Sequence, residues 1–208
     1  MKNTVEDIRS MKGREIIGML TAYDYSTAKY MDETGIDIIL VGDSLGMVVL
    51  GYENTLDVTV EDMLRHTGAV ARGTTNALIV TDLPSGSYDD VESAAANADA
   101  LVRSGADAVK LENSPHIAEY LVALDIPVQG HVGLTPQSVA DFKVQGREAA
   151  AAQTIIQMAK DMETAGCYSV ILEALPQDLG ELITETLTVP TIGIGAGPHC
   201  DGQVLVVN

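Results

Sequence analysis

Residues 34–43 read TGIDIILVGD, residues 104–112 read SGADAVKLE and residues 165–173 read AGCYSVILE. In each copy a helical pattern runs into a glycine (Gly35, Gly105, Gly166), the residue best suited to the left-handed position that closes a helix. A short, continuous apolar run comes next, and an acid ends it: Asp43, Glu112 and Glu173. The glycine-to-acid offset is eight residues in the first copy and seven in the other two. Continuous apolar runs, as opposed to alternating ones, are what strands buried on both faces require. The repeat therefore predicts helix end, turn and buried parallel strand, each strand delivering a carboxylate at its C-terminal end.

Working outward, the same kind of run recurs at Ile16–Thr21, Ile38–Gly42, Ala77–Thr81, Ala108–Leu111, Ile126–Gly130, Ser169–Leu172, Thr191–Ile194 and Gln203–Val207. Helical spacing fills the gaps at Tyr25–Thr34, Thr59–Arg72, Val91–Ser104, Pro115–Leu124, Glu148–Ala165 and Asp178–Leu187. Thr4 with Asp7, and Thr59 with Asp62, have capping-box spacing, so a short extra helix is expected before the first strand, as a cover on the barrel floor. Eight strand–helix units without a linker predict one α/β domain over residues 1–208, a closed (β/α)8 barrel, with a doubly wound open sheet as the alternative. Such barrels typically take about 250 residues. This sequence stops after its eighth candidate strand, so the last helix is expected to be missing from it.

Composition narrows the function. Twelve Lys and Arg against thirty Asp and Glu give a net charge of −18. Nucleic acid and anionic membranes are disfavoured partners, because both are held by clustered cations. No apolar stretch approaches the ~20 residues that span a bilayer, and the opening MKNTVEDIRSMKGRE lacks a secretory apolar core. Two cysteines, Cys167 and Cys200, suit a reduced compartment, so a cytoplasmic protein is expected.

In a (β/α)8 barrel the chemistry sits where strands end. Those positions hold Asp43 and Ser44, Asp82, Lys110 and Glu112, His131, and Glu173. Buried carboxylates are costly unless they meet a cation. A divalent ion of the Mg²⁺ kind would explain Asp43, Asp82 and Glu112 together, since all-oxygen ligation suits hard ions. Singly, each has a plainer reading: Asp43 and Asp82 as turn acids, His131 as a satisfied core histidine. Lys110 resists one, being flanked by apolar residues on a strand that should face the barrel interior. Gly193-Ile-Gly195-Ala-Gly197 imitates a dinucleotide fingerprint, but position 198 is Pro, the third glycine is absent at its required offset, and no helix pattern succeeds it. A tight turn at the seventh strand end is the better reading. Cys167 opens a strand, the wrong end of the barrel for a nucleophile.

Longer motifs extend these positions: VGDSLGMVVLGY, TDLPSGSY, ADAVKLE, GHVGLTPQS, KVQGR and PTIGIGAGPHCDGQVLV. Together they resemble the ketopantoate hydroxymethyltransferase family over residues 8–207. The resemblance implies a barrel of the phosphoenolpyruvate mutase/isocitrate lyase type. It also implies transfer of a one-carbon unit from 5,10-methylenetetrahydrofolate to 3-methyl-2-oxobutanoate, giving 2-dehydropantoate on the way to pantothenate, through an enolate stabilised by Mg²⁺. Carried over by motif, Asp43, Asp82 and Glu112 would ligate the metal. Asp43, Ser44, Asp82, Lys110, Tyr23 and His131 would bind substrate, and Glu173 would be the catalytic base. A homo-oligomer, commonly a decamer, is implied as well.

Three departures from the family pattern stand out. PHIAEYLVALDIP is shorter than usual, QSVADFKVQGR lacks a Gly-Gly-containing piece, and nothing helical comes after GQVLV. Neither internal shortening falls at a strand end. Two rival readings are a lyase or mutase of the same barrel superfamily, working without folate, and a non-catalytic binding or assembly barrel.

Overall fold

The computed structural model describes residues 2–137 and 143–207. Residues 138–142, within the QSVADFKVQGR stretch, lie outside the described residues. The elements run α1 (Val5–Ser10), β1 (Ile17–Thr21), α2 (Tyr25–Glu33), β2 (Ile38–Val41), α3 (Leu45–Val48), α4 (Val60–Gly73), β3 (Leu78–Asp82) and α5 (Val91–Ser104). They continue as β4 (Ala108–Glu112), α6 (Pro115–Ala123), β5 (Val128–Gly133), α7 (Ala149–Thr164), β6 (Ser169–Glu173), α8 (Gln177–Thr186), β7 (Thr191–Ile194) and β8 (Gly202–Leu205). Each strand pairs in parallel with the next, and β8 returns to β1 with Ile17 opposite Gly202 and Met19 opposite Val204. That last pairing closes the barrel and removes the open-sheet alternative.

Strand alternation sorts the side chains into two layers. Ile39, Val41, Ile79, Val109, Leu111, Val170 and Leu172 point outward into a shell with Met63, Val70, Leu101, Leu121, Met162 and Ile183 of the helices. Ile38, Leu40, Leu78, Val80, Ala108, Ile171 and Ile192 point inward and fill the barrel. Ile8 of α1, fully buried, joins this inner layer as the floor that the capping-box signal predicted. The inward register continues up each strand from Val80 to Asp82, from Ala108 to Lys110 and Glu112, from Gln129 to His131, and from Ile171 to Glu173. Barrel geometry itself thus aims these groups at one mouth.

Both capping boxes form, Thr4 with Asp7 and Thr59 with Asp62. Gly105 closes α5 at φ +120°, where an added Cβ would stand 2.4 Å from the Ala71 Cβ. Strand limits move by a residue or two from the sequence expectation, as at β8, which ends at Leu205 and not at Val207, and two differences matter for the site. The fifth strand begins later and runs on to Gly133, which puts His131 inside it instead of after it. Its end is set by Gly133, at φ +102°, whose missing Cβ lets the Glu173 carbonyl oxygen approach. The short α3 comes after Ser44 and buries Leu45, a local turn with no period long enough to read. Gly195 and Gly197 have φ of +65° and +86°, as a tight turn requires. No helix among the described residues lies between β7 and β8 or covers β8, where Gln203 and Leu205 are exposed on the outer face.

Candidate active site

The inward-pointing groups line a cavity of about 280 Å³ at the C-terminal end of the strands. Its lining is mixed: Leu40, Met47, Val48, Ile171 and Val204 are apolar, whereas Asp43, Ser44, Asp82, Lys110, Glu112, His131 and Glu173 bring polar and charged groups. A roomier cleft of about 470 Å³ lies at the opposite end, beside α1 and Asp107. It holds none of the strand-end acids.

Lys110, buried at the centre, places its Nζ 2.9 Å from Asp82 Oδ1 and 3.4 Å from His131 Nδ1. Burial alone would push its ammonium toward the neutral form. The charges of Asp82, Glu112 and Asp43 outweigh burial and raise its pKa above the usual lysine value. Asp82 Oδ2 accepts the Asp43 backbone N–H at 3.0 Å, tying the β2 end to the β3 end. Burial, and then the neighbouring Asp82 charge, hold the Asp43 carboxyl well above the usual carboxylate range.

His131 stands between two carboxylates, Nδ1 3.3 Å from Glu112 Oε1 and Nε2 3.2 Å from Glu173 Oε2. Burial and the Lys110 charge act to lower its pKa. The carboxylates on either side prevail and hold it up to about 9, which favours the protonated ring. Burial would raise Glu112, but His131 and Lys110 draw it below the usual range. Tyr23 and Ser44 meet at 2.8 Å, hydroxyl to hydroxyl, at the edge of the group.

The residues expected from the sequence come together at the cavity, except that Tyr23 does not line it and reaches the group through Ser44, and one further difference is of arrangement. Asp43 and Asp82 adjoin, whereas Glu112 is turned to His131 and to the backbone N–H of Gln137. Among the described residues no three His, Cys, Asp or Glu side chains converge on one metal position. The donor chemistry still fits a hard dication, which is commonly held by one or two carboxylates and completed by water and substrate oxygens. The charge fits too, because among the described residues lining the cavity the four carboxylates of Asp43, Asp82, Glu112 and Glu173 outnumber the two basic side chains, Lys110 and His131. Gln137 and Tyr88 carry no signal in the sequence, although both lie within the quoted GHVGLTPQS and TDLPSGSY motifs; no charge or spacing marks them. Cys167 is buried at the base of β6, its thiol pushed up to about 12, which suits packing and not nucleophilic attack.

A sequence profile of ketopantoate hydroxymethyltransferase matches residues 2–208. The chain is 56% identical to the 3-methyl-2-oxobutanoate hydroxymethyltransferase of Syntrophus aciditrophicus (strain SB) over 216 residues, 100% of this chain and 79% of that one.

The chain belongs to the ketopantoate hydroxymethyltransferase family.

As a member of that family it is a transferase, and the barrel is the family's scaffold for the strand-end groups above. Solved structures related in fold include 2,3-dimethylmalate lyase, a member of the phosphoenolpyruvate mutase/isocitrate lyase superfamily. It superposes with a TM-score of 0.71 at 14% identity, over 98% of this chain and 81% of that one. Phosphonopyruvate hydrolase, solved in complex with oxalate and Mg²⁺, superposes with a TM-score of 0.74 at 12% identity, over 97% and 80%. At these identities the likeness bears on the fold of the hydroxymethyltransferase chain and on nothing finer.

Proposed function

We propose that this hydroxymethyltransferase moves a one-carbon unit from 5,10-methylenetetrahydrofolate to 3-methyl-2-oxobutanoate, with water completing the hydroxymethyl group, to give 2-dehydropantoate and tetrahydrofolate for pantothenate synthesis. The observation that carries the reading is the mixed lining of the cavity: apolar side chains for a branched alkyl group, together with Lys110 and the Glu112–His131–Glu173 row for polar atoms. A small branched 2-oxo acid combines the same two characters.

The residue roles are those that the family resemblance implies, and the positions of the side chains support them. Ser44 and Lys110 receive the anionic end of the substrate, with Tyr23 and His131 shaping the pocket around it. Glu173, the most accessible acid of the row, takes the proton from C3. His131, between its two carboxylates, orients Glu173 through its Nε2. Lys110 offsets the negative charge that develops on the substrate as the proton leaves. Asp43 and Asp82 would hold Mg²⁺, with Glu112 completing the carboxylate set. When bound, the ion supplies Lewis-acid polarisation of the 2-oxo group.

Two assays test the reading. Turnover should need both a divalent cation and methylenetetrahydrofolate, and 3-methyl-2-oxobutanoate should exchange its C3 proton into deuterated water in the presence of enzyme. Cleavage or rearrangement of a 2-oxo acid without folate would favour the lyase or mutase reading, and no cation-dependent turnover would favour a non-catalytic barrel. We further propose a cytoplasmic homo-oligomer, of decameric size. Exposed Ile16, Leu205 and Val206 give it apolar surface to bury. A monomer in sedimentation at micromolar concentration would overturn the assembly.

A further inference from the structure

Gln137 comes shortly after β5, and its polar groups are spread over a wide span of the chain. Its side-chain Nε2 donates to Asp43 Oδ2 at 2.8 Å and to the Leu83 carbonyl at 2.9 Å. Its side-chain oxygen accepts from the Tyr88 hydroxyl, and its backbone N–H donates to Glu112 Oε2 at 3.2 Å. The residue is 8% exposed, so these bonds form out of water, where an unmade one is costly. Pro136, immediately before it, lines the same cavity.

Together these bonds reach two of the three expected metal-set carboxylates. A neutral amide is well suited to the task. An Arg or Lys here would neutralise Asp43 and compete with a dication, and a carboxylate would repel the Asp43 carboxylate. An amide donor fixes one Asp43 oxygen by a directed bond and leaves the net charge of the cluster unchanged. Tyr88, anchored against the Glu112 backbone N–H at 3.4 Å, holds the amide with its donor side toward Asp43.

We propose that Gln137 is a positioning residue: it sets the orientation of Asp43 and Glu112 for cation binding, through a directed amide bond to one and a backbone bond to the other. This rests on the cation reading of the site. It goes beyond that reading in assigning the ligand geometry to a loop residue that itself neither binds the metal nor carries charge.

The test is a titration of Mn²⁺ alone, without substrate, into the full-length wild type and two variants, Gln137→Met and Gln137→Ala. Binding is followed by the loss of the free-ion paramagnetic signal. Met keeps the length and most of the packing while removing both donor and acceptor; Ala removes the packing as well. Loss of an outer partner of a ligand costs about ten- to a hundredfold in metal affinity, and that is the weakening expected for both variants. Gln137→Met should also lose kcat at saturating cation, with KM for the 2-oxo acid little changed and the melting temperature within a few degrees of wild type. Wild-type affinity in Gln137→Met would overturn the positioning role, as would a lowered melting temperature with affinity and kcat intact, which marks a packing residue. A wild type that binds no Mn²⁺ would overturn the cation reading itself and the inference with it, a result distinct from equal binding by wild type and variant.

Discussion

Glu173 Oε2 lies 3.2 Å from Nε2 of His131, across neighbouring strands whose register sets Gly133 opposite Glu173 and His131 opposite Ile171. Both side chains face the barrel interior, so the pair is a product of strand register and needs no loop to form it. The glutamate is partly open to the cavity while the histidine is buried. That asymmetry is what a base with a fixed orienting partner needs: one group accessible to substrate, the other held still. It leads to the first prediction. Glu173→Gln keeps shape and removes the proton-accepting oxygen, so turnover should fall by roughly 10²–10⁴-fold, the span of one general acid–base group. Proton exchange at C3 should vanish while substrate binding is retained. Equal exchange in wild type and variant would remove the base role from Glu173.

Asp43 and Asp82 are joined by a backbone-to-carboxylate bond, and Asp82 pairs with Lys110. Asp43→Ala and Asp82→Ala should each nearly abolish turnover and weaken Mg²⁺ binding while leaving the barrel folded. Titration calorimetry reads this directly, and unchanged Mg²⁺ affinity in both variants would reject them as ligands. Circular dichroism on the same samples checks that the fold persists.

Gly133→Ala probes the backbone beneath the site. A methyl group there would stand 2.3 Å from the Glu173 carbonyl oxygen, at a φ of +102° that already disfavours alanine. The Leu134 N–H donates to that same carbonyl at 2.9 Å, so the clash would part β5 from β6 just below Glu173. A loss of about 1–3 kcal/mol in stability is expected, with a fall in kcat up to about a hundredfold from misplacement of the base. A variant with wild-type melting and kcat would show that the strand ends tolerate the shift.

Most of this site is legible in the sequence, for a physical reason. A barrel strand buried on both faces leaves no apolar reason for a charge near its end, so Lys110 in AVKLE and Glu173 in SVILE announce themselves by solvation cost. Asp43 and Asp82 are harder to separate from turn acids, and only the barrel's closure makes them neighbours. Gln137 and Tyr88 are illegible because uncharged polar residues after a strand are common, and the Gln137 partner Asp43 lies 94 positions away. The extension of β5 to Gly133 is hidden because glycines at 130 and 133 read as turn signals, whereas here their small size admits Met162 and the Glu173 backbone. The turn of α3 carries no periodic signal at all.

Asp32 gives the last prediction, and it concerns stability apart from catalysis. From the end of α2 its carboxylate accepts five hydrogen bonds from the segment that leads into β3. The backbone N–H groups of Thr75, Asn76 and Ala77 donate at 3.0, 2.9 and 2.8 Å. The Thr75 hydroxyl and Asn76 amide add two more at 2.8 and 3.0 Å. Burial would raise its pKa, but these donors favour the charged form and bring it down to about 2. A pKa depressed in the folded state means that the unfolded chain binds the proton more readily. The stabilisation is therefore fully present above the ordinary Asp value near pH 4 and is lost as pH falls through about 2. Asp32→Asn replaces an acceptor oxygen with a donor facing other donors, and should cost about 2 kcal/mol at pH 7. In urea unfolding at pH 7, 5 and 3, the gap between wild type and variant should hold at the two higher values and begin to narrow at pH 3. A gap that stayed constant down to pH 3, or widened there, would show that the lost stability comes from packing and not from the carboxylate's charge.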